Sequence, residues 1–307
     1  MFLYILALVV LLYIYRWFRE LKRVPNKSEK YVYITGCDSG FGNLLARHLD
    51  SLGFSVIAGC YTEKGEDELK KACSTRLSTV PLDVTNNDSI RKATEIIRKL
   101  VGERGLWAVV NNAGVSVPSA PNDWLVIDDF MHMINVNLNG VIAVTLSVLP
   151  LIKKAKGRVV NVASVFGRVS PFGGPYCVSK YGVEAFNDSL RMNMVHFGVK
   201  VLCIEPGFFK TSVTDTKLLE NSIQKLWERL PQDVKNDYGS DYMDRGNGSD
   251  TDSSAAGAFK HCVHPLYSLL DTPTYKLVKF VDVNSGTEAL NLLLHSLCWS
   301  SIKKSAL

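Results

Sequence analysis

Residues 31–50 read YVYITGCDSGFGNLLARHLD, and the change of pattern at Gly36 decides the fold. Tyr31–Thr35 is a short apolar, β-rich run, whereas residues 41–52 carry the three- and four-residue apolar spacing of a helix. Between them Gly36, Gly40 and Gly42 let the backbone turn sharply and approach an anion. A helix that begins there offers free N–H groups and a positive dipole end to a phosphate. The spacing is G-x-x-x-G-x-G rather than G-x-G-x-x-G. Three glycines alone mark no more than a tight turn. The strand before and the helix after favour a nucleotide cradle, with Thr35, Gly36, Asp38, Ser39, Gly40, Phe41 and Gly42 as its candidate residues.

Working outward, the same alternation repeats. Strand-like runs stand at 55–60, 78–82, 107–111, 158–162 and 201–204, and helical spacing at 88–101, 128–154 and 176–197. The pattern predicts an α/β fold, a doubly wound parallel sheet of Rossmann-like, three-layered form. Ligands of such sheets bind beyond the carboxyl ends of the strands. The second strand ends at Cys60-Tyr61-Thr62-Glu63, where an acid would hold the ribose hydroxyls of NAD. Cys60 is not acidic, and no arginine is present to meet a 2′-phosphate. Glu63 is either that acid or surface charge, and NAD is expected rather than NADP. Asp83 ends the third strand, either reaching the adenine edge or capping its own turn.

Tyr176-Cys177-Val178-Ser179-Lys180 sets a phenol and an ammonium four residues apart, on one face of a helix. A free tyrosine ionises near ~10. A neighbouring Lys⁺ and a cationic nicotinamide both favour phenolate, so Tyr176 can serve as general base toward an alcohol. Ser164 closes the fifth strand, where a hydroxyl can bond the substrate oxygen. Asn137 is polar within the apolar stretch INVNLNGVIAV, suited to bend the helix and hold a water beside Lys180. Taken alone, Y-x-x-x-K recurs by chance in many helices.

Residues 1–15 (MFLYILALVVLLYIY) carry no charge, and Arg16, Trp17, Phe18, Arg19, Lys22 and Arg23 follow. A helix of that length rises ~22 Å, close to a bilayer's ~30 Å hydrocarbon core. The aromatic and basic border suits a membrane interface, and the missing n-region and cleavage site argue against a cleaved signal. An N-terminal membrane-anchor helix is expected, with the catalytic domain on the cytosolic side by the positive-inside rule. At 47% hydrophobic and 21% charged the chain reads as globular. A net charge of +5 without basic blocks gives no footprint for nucleic acid. The seven scattered cysteines form no C-x-x-C pair and suit a reducing compartment better than a disulfide framework. His261 and His264 have no second ligand pair, so no metal site is expected.

In order along the chain, T-G-x-x-x-G-x-G, Asn111-Asn112-Ala113-Gly114, Ser164, Tyr176-x-x-x-Lys180 and Pro206-Gly207 resemble the short-chain dehydrogenase/reductase family. ITGCDSGFGNLLARHLD, GLWAVVNNAG, YCVSKYGVEAFNDSLR and IEPGFFKT are similar to its membrane-bound retinol dehydrogenases and their 17β/3α-hydroxysteroid dehydrogenase relatives. The resemblance implies a catalytic tetrad of Asn137, Ser164, Tyr176 and Lys180. It implies cofactor contacts from Asn112, Ala113, Gly114, Tyr176, Lys180, Pro206, Gly207 and Thr211. It further implies an oxidoreductase of retinol, steroid and lipid metabolism in the endoplasmic reticulum membrane. That enzyme would use NAD on a lipophilic alcohol, with homodimerisation through helices 128–154 and 176–197 as the assembly common in the superfamily.

The expected organisation is an anchor at 1–18, a basic and polar linker at 19–30, a dinucleotide-binding catalytic domain at 31–243 and a divergent segment at 244–307. The last begins with a Gly/Ser/Asp-rich loop at 244–258, then a strand at 275–283 and a helix at 286–299. Ala163 and Pro175 depart from the serine and glycine usual in the subgroup, and Pro175 could tighten or misplace Tyr176. With the unfamiliar tail, Pro175 motivates a competing reading: a catalytically weak or silent, membrane-tethered binder of cofactor or lipid.

Overall fold

The computed structural model describes residues 4, 7, 8, 10, 11, 13–15, 24–170, 174–207, 209, 211, 215–239, 242–245 and 279–280. Of the expected linker, residues 24–30 are described and hold a 3-10 turn at Lys27–Glu29. Its residues 19–23, the loop from residue 246, the helix at 286–299, and His261 and His264 lie outside the described residues. Among the described residues, seven strands form one sheet in the order β3-β2-β1-β4-β5-β6-β7. They are β1 Tyr31–Thr35, β2 Ser55–Cys60, β3 Leu77–Pro81, β4 Ala108–Asn111, β5 Arg158–Val162, β6 Lys200–Glu205 and β7 Lys279–Phe280. The first six pair in parallel, while β7 runs antiparallel to β6 with Ile204 opposite Phe280. β7 falls inside the strand expected at 275–283.

Both faces of the sheet are apolar, because helices cover both. On one face Val32, Ile34, Val56 and Val110 meet Leu45 and Leu49 of α1 (Gly40–Ser51) and Leu69 of α2 (Glu63–Ala72). On the other, Tyr33, Ile57, Val109 and Val159 meet α3 (Asn87–Val101), through Ile90 and Ile97. The same layer receives Val144, Val148 and Ile152 from α5 (Gly140–Lys154) and Leu190 and Met194 from α6 (Gly174–Met194). Side-chain caps fix two helix starts. Thr62 accepts from the Gly65 amide, and Asn86 from the Asp88 and Ser89 amides.

Ile127–Lys154 has the length and hydropathy to cross a membrane. It is instead a core helix, α4 (Ile127–Ile134) joined to α5 by a π-helical turn at Asn135–Asn139. The Gly140 amide reaches back five residues to the Asn135 carbonyl. That widened turn falls at Asn137, and such turns gather at functional sites. The described residues of the first fifteen are helical and exposed, among them Tyr4, Leu8, Leu11, Ile14 and Tyr15.

Three helices escaped the pattern reading, α2, α7 (Thr216–Arg229) and α8 (Gln232–Tyr238), and a short α9 (Tyr242–Arg245) follows the last. α7, α8 and α9 pack on the segment 120–125 through an aromatic cluster. Trp124 is buried against Leu226, Leu230 and Tyr242, and Trp227 stacks on Tyr242 at 5.6 Å. The Tyr238 hydroxyl donates to the Asp123 carboxylate at 2.7 Å, and Arg229 pairs with Asp129. Asp244 and Arg245, expected in a loop, belong to α9.

Candidate active site

The strand order reverses between β1 and β4, so a crevice opens beyond their carboxyl ends. A cleft of about 570 Å³ occupies that place. Its floor is the β1–α1 turn (Gly36, Asp38, Ser39, Gly40, Phe41), and Asp83, Val84 and Thr85 after β3 close one end. Asn112, Ala113 and Gly114 after β4 line its middle, and Ser164, Tyr176 and Lys180 stand at the other end with Pro206, Gly207 and Thr211.

The glycine turn is built by close approach. Gly36 has φ +69°, and a Cβ there would meet the Ala113 Cα at 2.7 Å. The Asn112 side chain donates to the Thr35 and Gly36 carbonyls at 3.0 and 3.1 Å. The Thr35 hydroxyl accepts the Asn112 and Ala113 amides, both at 3.0 Å. Thr35 and Gly42 do not line the cleft: Thr35 staples β1 to the end of β4 behind it, and Gly42 leaves room for the Gly36 carbonyl and the Asn112 side chain. Glu63 also lies outside it, exposed in the first turn of α2.

The acid at the end of β2 comes from elsewhere in the chain. The Asp38 carboxylate accepts the Tyr61 and Thr62 amides, each at 2.8 Å, and the Thr62 hydroxyl at 2.7 Å. Gly65 makes room for it, since a Cβ there would sit 2.6 Å from Asp38 Oδ1. Asp83 caps its own turn through the Thr85 amide at 2.9 Å and lines the cleft as well.

At the far end, Ser164 and Tyr176 share a hydrogen bond between hydroxyls. The Ser164 Oγ also accepts the Phe166 amide at 3.2 Å, which fixes its rotamer. Burial pushes the Tyr176 phenol up to about 12, opposed by the Ser164 bond. Lys180, one turn along α6, donates from Nζ to the Val162 carbonyl at 2.9 Å and lies 5.6 Å from the Tyr176 ring centre. Burial pulls the ammonium down to about 8, while the charges of Cys203 and Glu184 work the other way.

Asn137 is fully buried behind this end. Its side chain pairs both ways with the Val115 backbone at 2.9 Å and donates to Ser179 Oγ at 3.1 Å. Gly114 keeps the space in front of it open: a Cβ there would lie 3.2 Å from Asn137 Oδ1 and 3.8 Å from Lys180 Nζ. A dinucleotide fits these residues, with the cradle between one end that can receive a base and another that carries a phenol and an ammonium. Pro175 sits in the first turn of α6, where no amide is needed, and Gly174 takes φ +79° to admit it. Tyr176 is thus delivered to Ser164 rather than displaced.

Sequence reasoning missed several lining residues, including Val84, Val115, Val136, Val162 and Phe209. Phe209 meets Phe41 edge-on with ring centres 5.4 Å apart. Nothing local in the sequence pairs residues so far apart.

Residues 30–221 match the family model described as short chain dehydrogenase. Retinol dehydrogenase 7 of Rattus norvegicus is 56% identical over 244 residues, 80% of this chain and 77% of that protein. Retinol dehydrogenase 16 of Homo sapiens is 48% identical over 278 residues, 91% of this chain and 86% of that protein. That alignment is longer than the chain preceding Asp244, so the likeness extends into the segment read as divergent. The 17-beta-hydroxysteroid dehydrogenase type 6 of Homo sapiens is 52% identical over 244 residues, covering 80% and 77%. Among solved structures, the 3-ketoacyl-(acyl-carrier-protein) reductase from Brucella melitensis complexed with NADH shares the fold. It matches at TM-score 0.58 and 24% identity, over 63% of this chain and 82% of that one.

Proposed function

The chain belongs to the short-chain dehydrogenase family, and from that premise we propose that it oxidises retinol or a hydroxysteroid with NAD, using Tyr176 as general base. Membership makes it a nicotinamide-dependent oxidoreductase acting on CH–OH groups. The substrate class rests on the relatives named as retinol and hydroxysteroid dehydrogenases. The observation that carries the catalytic reading is the meeting of Ser164, Tyr176 and Lys180 at one end of a cleft floored by the glycine turn.

The bound nicotinamide supplies the acceptor for hydride. The protein's residues do the rest. The Ser164 hydroxyl orients the substrate oxygen, and Tyr176 Oη takes its proton. The Ser164 bond opposes part of the effect of burial on the phenol, and Lys180 supplies a positive charge one helical turn away. Asn137 positions rather than reacts, because its amide is committed to Val115 and Ser179.

Asp38 supports NAD over NADP. Its carboxylate is held at the end of β2, where a 2′-phosphate would meet like charge. Asp38→Asn keeps one acceptor oxygen, which can still serve Thr62, while it removes the charge and the second acceptor that serves Tyr61. The ratio of kcat/KM for NAD over NADP should fall about tenfold, the effect of ~1.4 kcal/mol. An unchanged ratio would remove Asp38 from cofactor choice.

The exposed apolar helical residues near the N-terminus support a membrane anchor at 1–18, in the endoplasmic reticulum with the domain facing the cytosol. The catalytic domain extends over 31–243 on this reading. Exposed Leu146 on α5 and Val178, Tyr181 and Met192 on α6 suit a homodimer. The test is NADH formation by membranes carrying the chain, offered all-trans-retinol and a 3α-hydroxysteroid separately. Turnover of either supports the proposal and chooses the class. A protein that binds NADH yet oxidises neither would overturn it.

A further inference from the structure

Three charged residues outside the cleft each stand at a short, fixed distance in sequence from a residue within it. Arg168 lies four after Ser164, Glu184 four after Lys180, and Glu205 immediately before Pro206. The fold brings the three together. Arg168 Nη2 donates to Glu184 Oε2 at 2.8 Å and to Glu205 Oε1 at 2.9 Å, and Nε donates to Glu205 Oε1 at 3.2 Å. The Cys203 thiol donates to Glu184 Oε1 at 3.2 Å. The carboxylate side chains are only 6% and 3% exposed, whereas the guanidinium side is 45% exposed. Two buried carboxylates thus share one cation. Removing it would leave them facing each other without water, with Asp188 adding further negative charge near Glu184.

The geometry points to Arg168 as a positioning residue that holds the Ser164 turn against the helix carrying Tyr176 and Lys180. The turn Val165–Gly167 presses on α6 there: a Cβ on Gly167 would lie 3.0 Å from Glu184 Cγ and 3.1 Å from the Lys180 carbonyl. The Val165 amide donates to the Pro206 carbonyl at 3.0 Å, which ties the same turn to the end of β6. A planar fork can bind both carboxylates at once, which a lysine ammonium cannot do with the same geometry. Across this junction, the charged and titratable groups are Arg168 on the turn, Lys180, Glu184 and Asp188 on α6, and Cys203 and Glu205 on β6.

This inference rests on the catalytic reading of Ser164, Tyr176 and Lys180, and two readouts separate the failure of one from the failure of the other. Full-length Arg168→Met and Arg168→Lys would be compared with wild type in membranes. Hydrogen exchange of residues 163–169 reports the turn without any turnover, and kcat with KM for NAD reports the chemistry. In Arg168→Met the turn should exchange faster while the β1–α1 region does not change. Its kcat should fall by about 30-fold, in the range expected for a misplaced reacting group. KM for NAD should stay within about threefold. Arg168→Lys should recover melting temperature ahead of kcat. Unchanged exchange of the turn, or a kcat per folded molecule within about twofold of wild type, would overturn the proposal. If Arg168→Met does not accumulate, Arg168→Lys and Glu205→Gln are judged by the same two readouts. If wild type is silent, the catalytic reading fails and exchange alone decides the positioning role.

Discussion

Tyr176→Phe will give a folded protein that binds NADH nearly as wild type does and oxidises no alcohol above background. The ring is retained, so the edge-on contact with Phe166, 6.2 Å between centres, survives. Only the hydroxyl is lost, and with it one bond to Ser164, at a cost of about 1 kcal/mol. Ser164 keeps its second partner, the Phe166 amide. The phenol, however, has no ready substitute among the described residues that line this end of the cleft. Lys180 already donates to Val162 and carries its charge at neutral pH, being pulled down only to about 8. A lost general base costs about 10²–10⁴-fold, so kcat should drop at least about a hundredfold. The wild-type pH profile carries the same signature. Tyr176 is pushed up to about 12, so its phenolate fraction grows with pH and kcat for oxidation should rise from the acid side. Above about 8 Lys180 sheds its proton and its help fades, so the rise should flatten. Steady-state rates across pH with NADH titration of both proteins check this. Turnover retained in Tyr176→Phe would remove the phenol from the chemistry.

The elements legible in the sequence were those with unambiguous periodicity. Tyr31–Thr35, Ser55–Cys60 and Arg158–Val162 emerge with the bounds that their apolar runs suggest. α2 and α8 did not, because their apolar residues are sparse. α7 carries helical spacing at Leu218, Leu219, Ile223, Leu226 and Trp227 that the pattern reading passed over, and its packing depends on distant residues, as with Leu226 near Trp124. The site shows the same division. Ser164, Tyr176 and Lys180 were readable as residue types at a helical spacing and a strand end. The acid beside β2 was not, because the Asp38 carboxylate bonds amides more than twenty residues away and the β2 end itself is Cys60. Thr35, Gly42 and Asn137 lie behind the cleft: Thr35 and Asn137 bond backbone segments there and Gly42 leaves room for the Gly36 carbonyl, arrangements no motif distinguishes from touching a ligand.

Gly42→Ala should be the most damaging of the small substitutions, because a single methyl has nowhere to go. Its Cβ would lie 2.2 Å from the Gly36 carbonyl oxygen and 2.5 Å from Asn112 Nδ2. Neither can yield. Gly36 is backed by Ala113, whose Cα lies 2.7 Å from where a Gly36 Cβ would stand, and Asn112 is committed to the Thr35 and Gly36 carbonyls. Relieving the clash means breaking the bridge between β1 and β4 and pushing the glycine turn into the cleft. Alanine gains about 1 kcal/mol in helix propensity over glycine, which is small against overpacking joined to lost buried hydrogen bonds, about 4 kcal/mol or more. For a domain of this size that is a fall of about 10 °C in melting temperature, with NADH binding lost alongside. Gly53→Ala is the contrasting case. Nothing lies within 4 Å of its Cβ, and only its φ of +90° resists, at about 1–2 kcal/mol. Thermal melts of both variants with and without NADH decide the matter. A Gly42→Ala protein melting within about 3 °C of wild type and still binding NADH would mean that the turn has slack, and that its close contacts with Asn112 and Ala113 do not set the shape of the cradle.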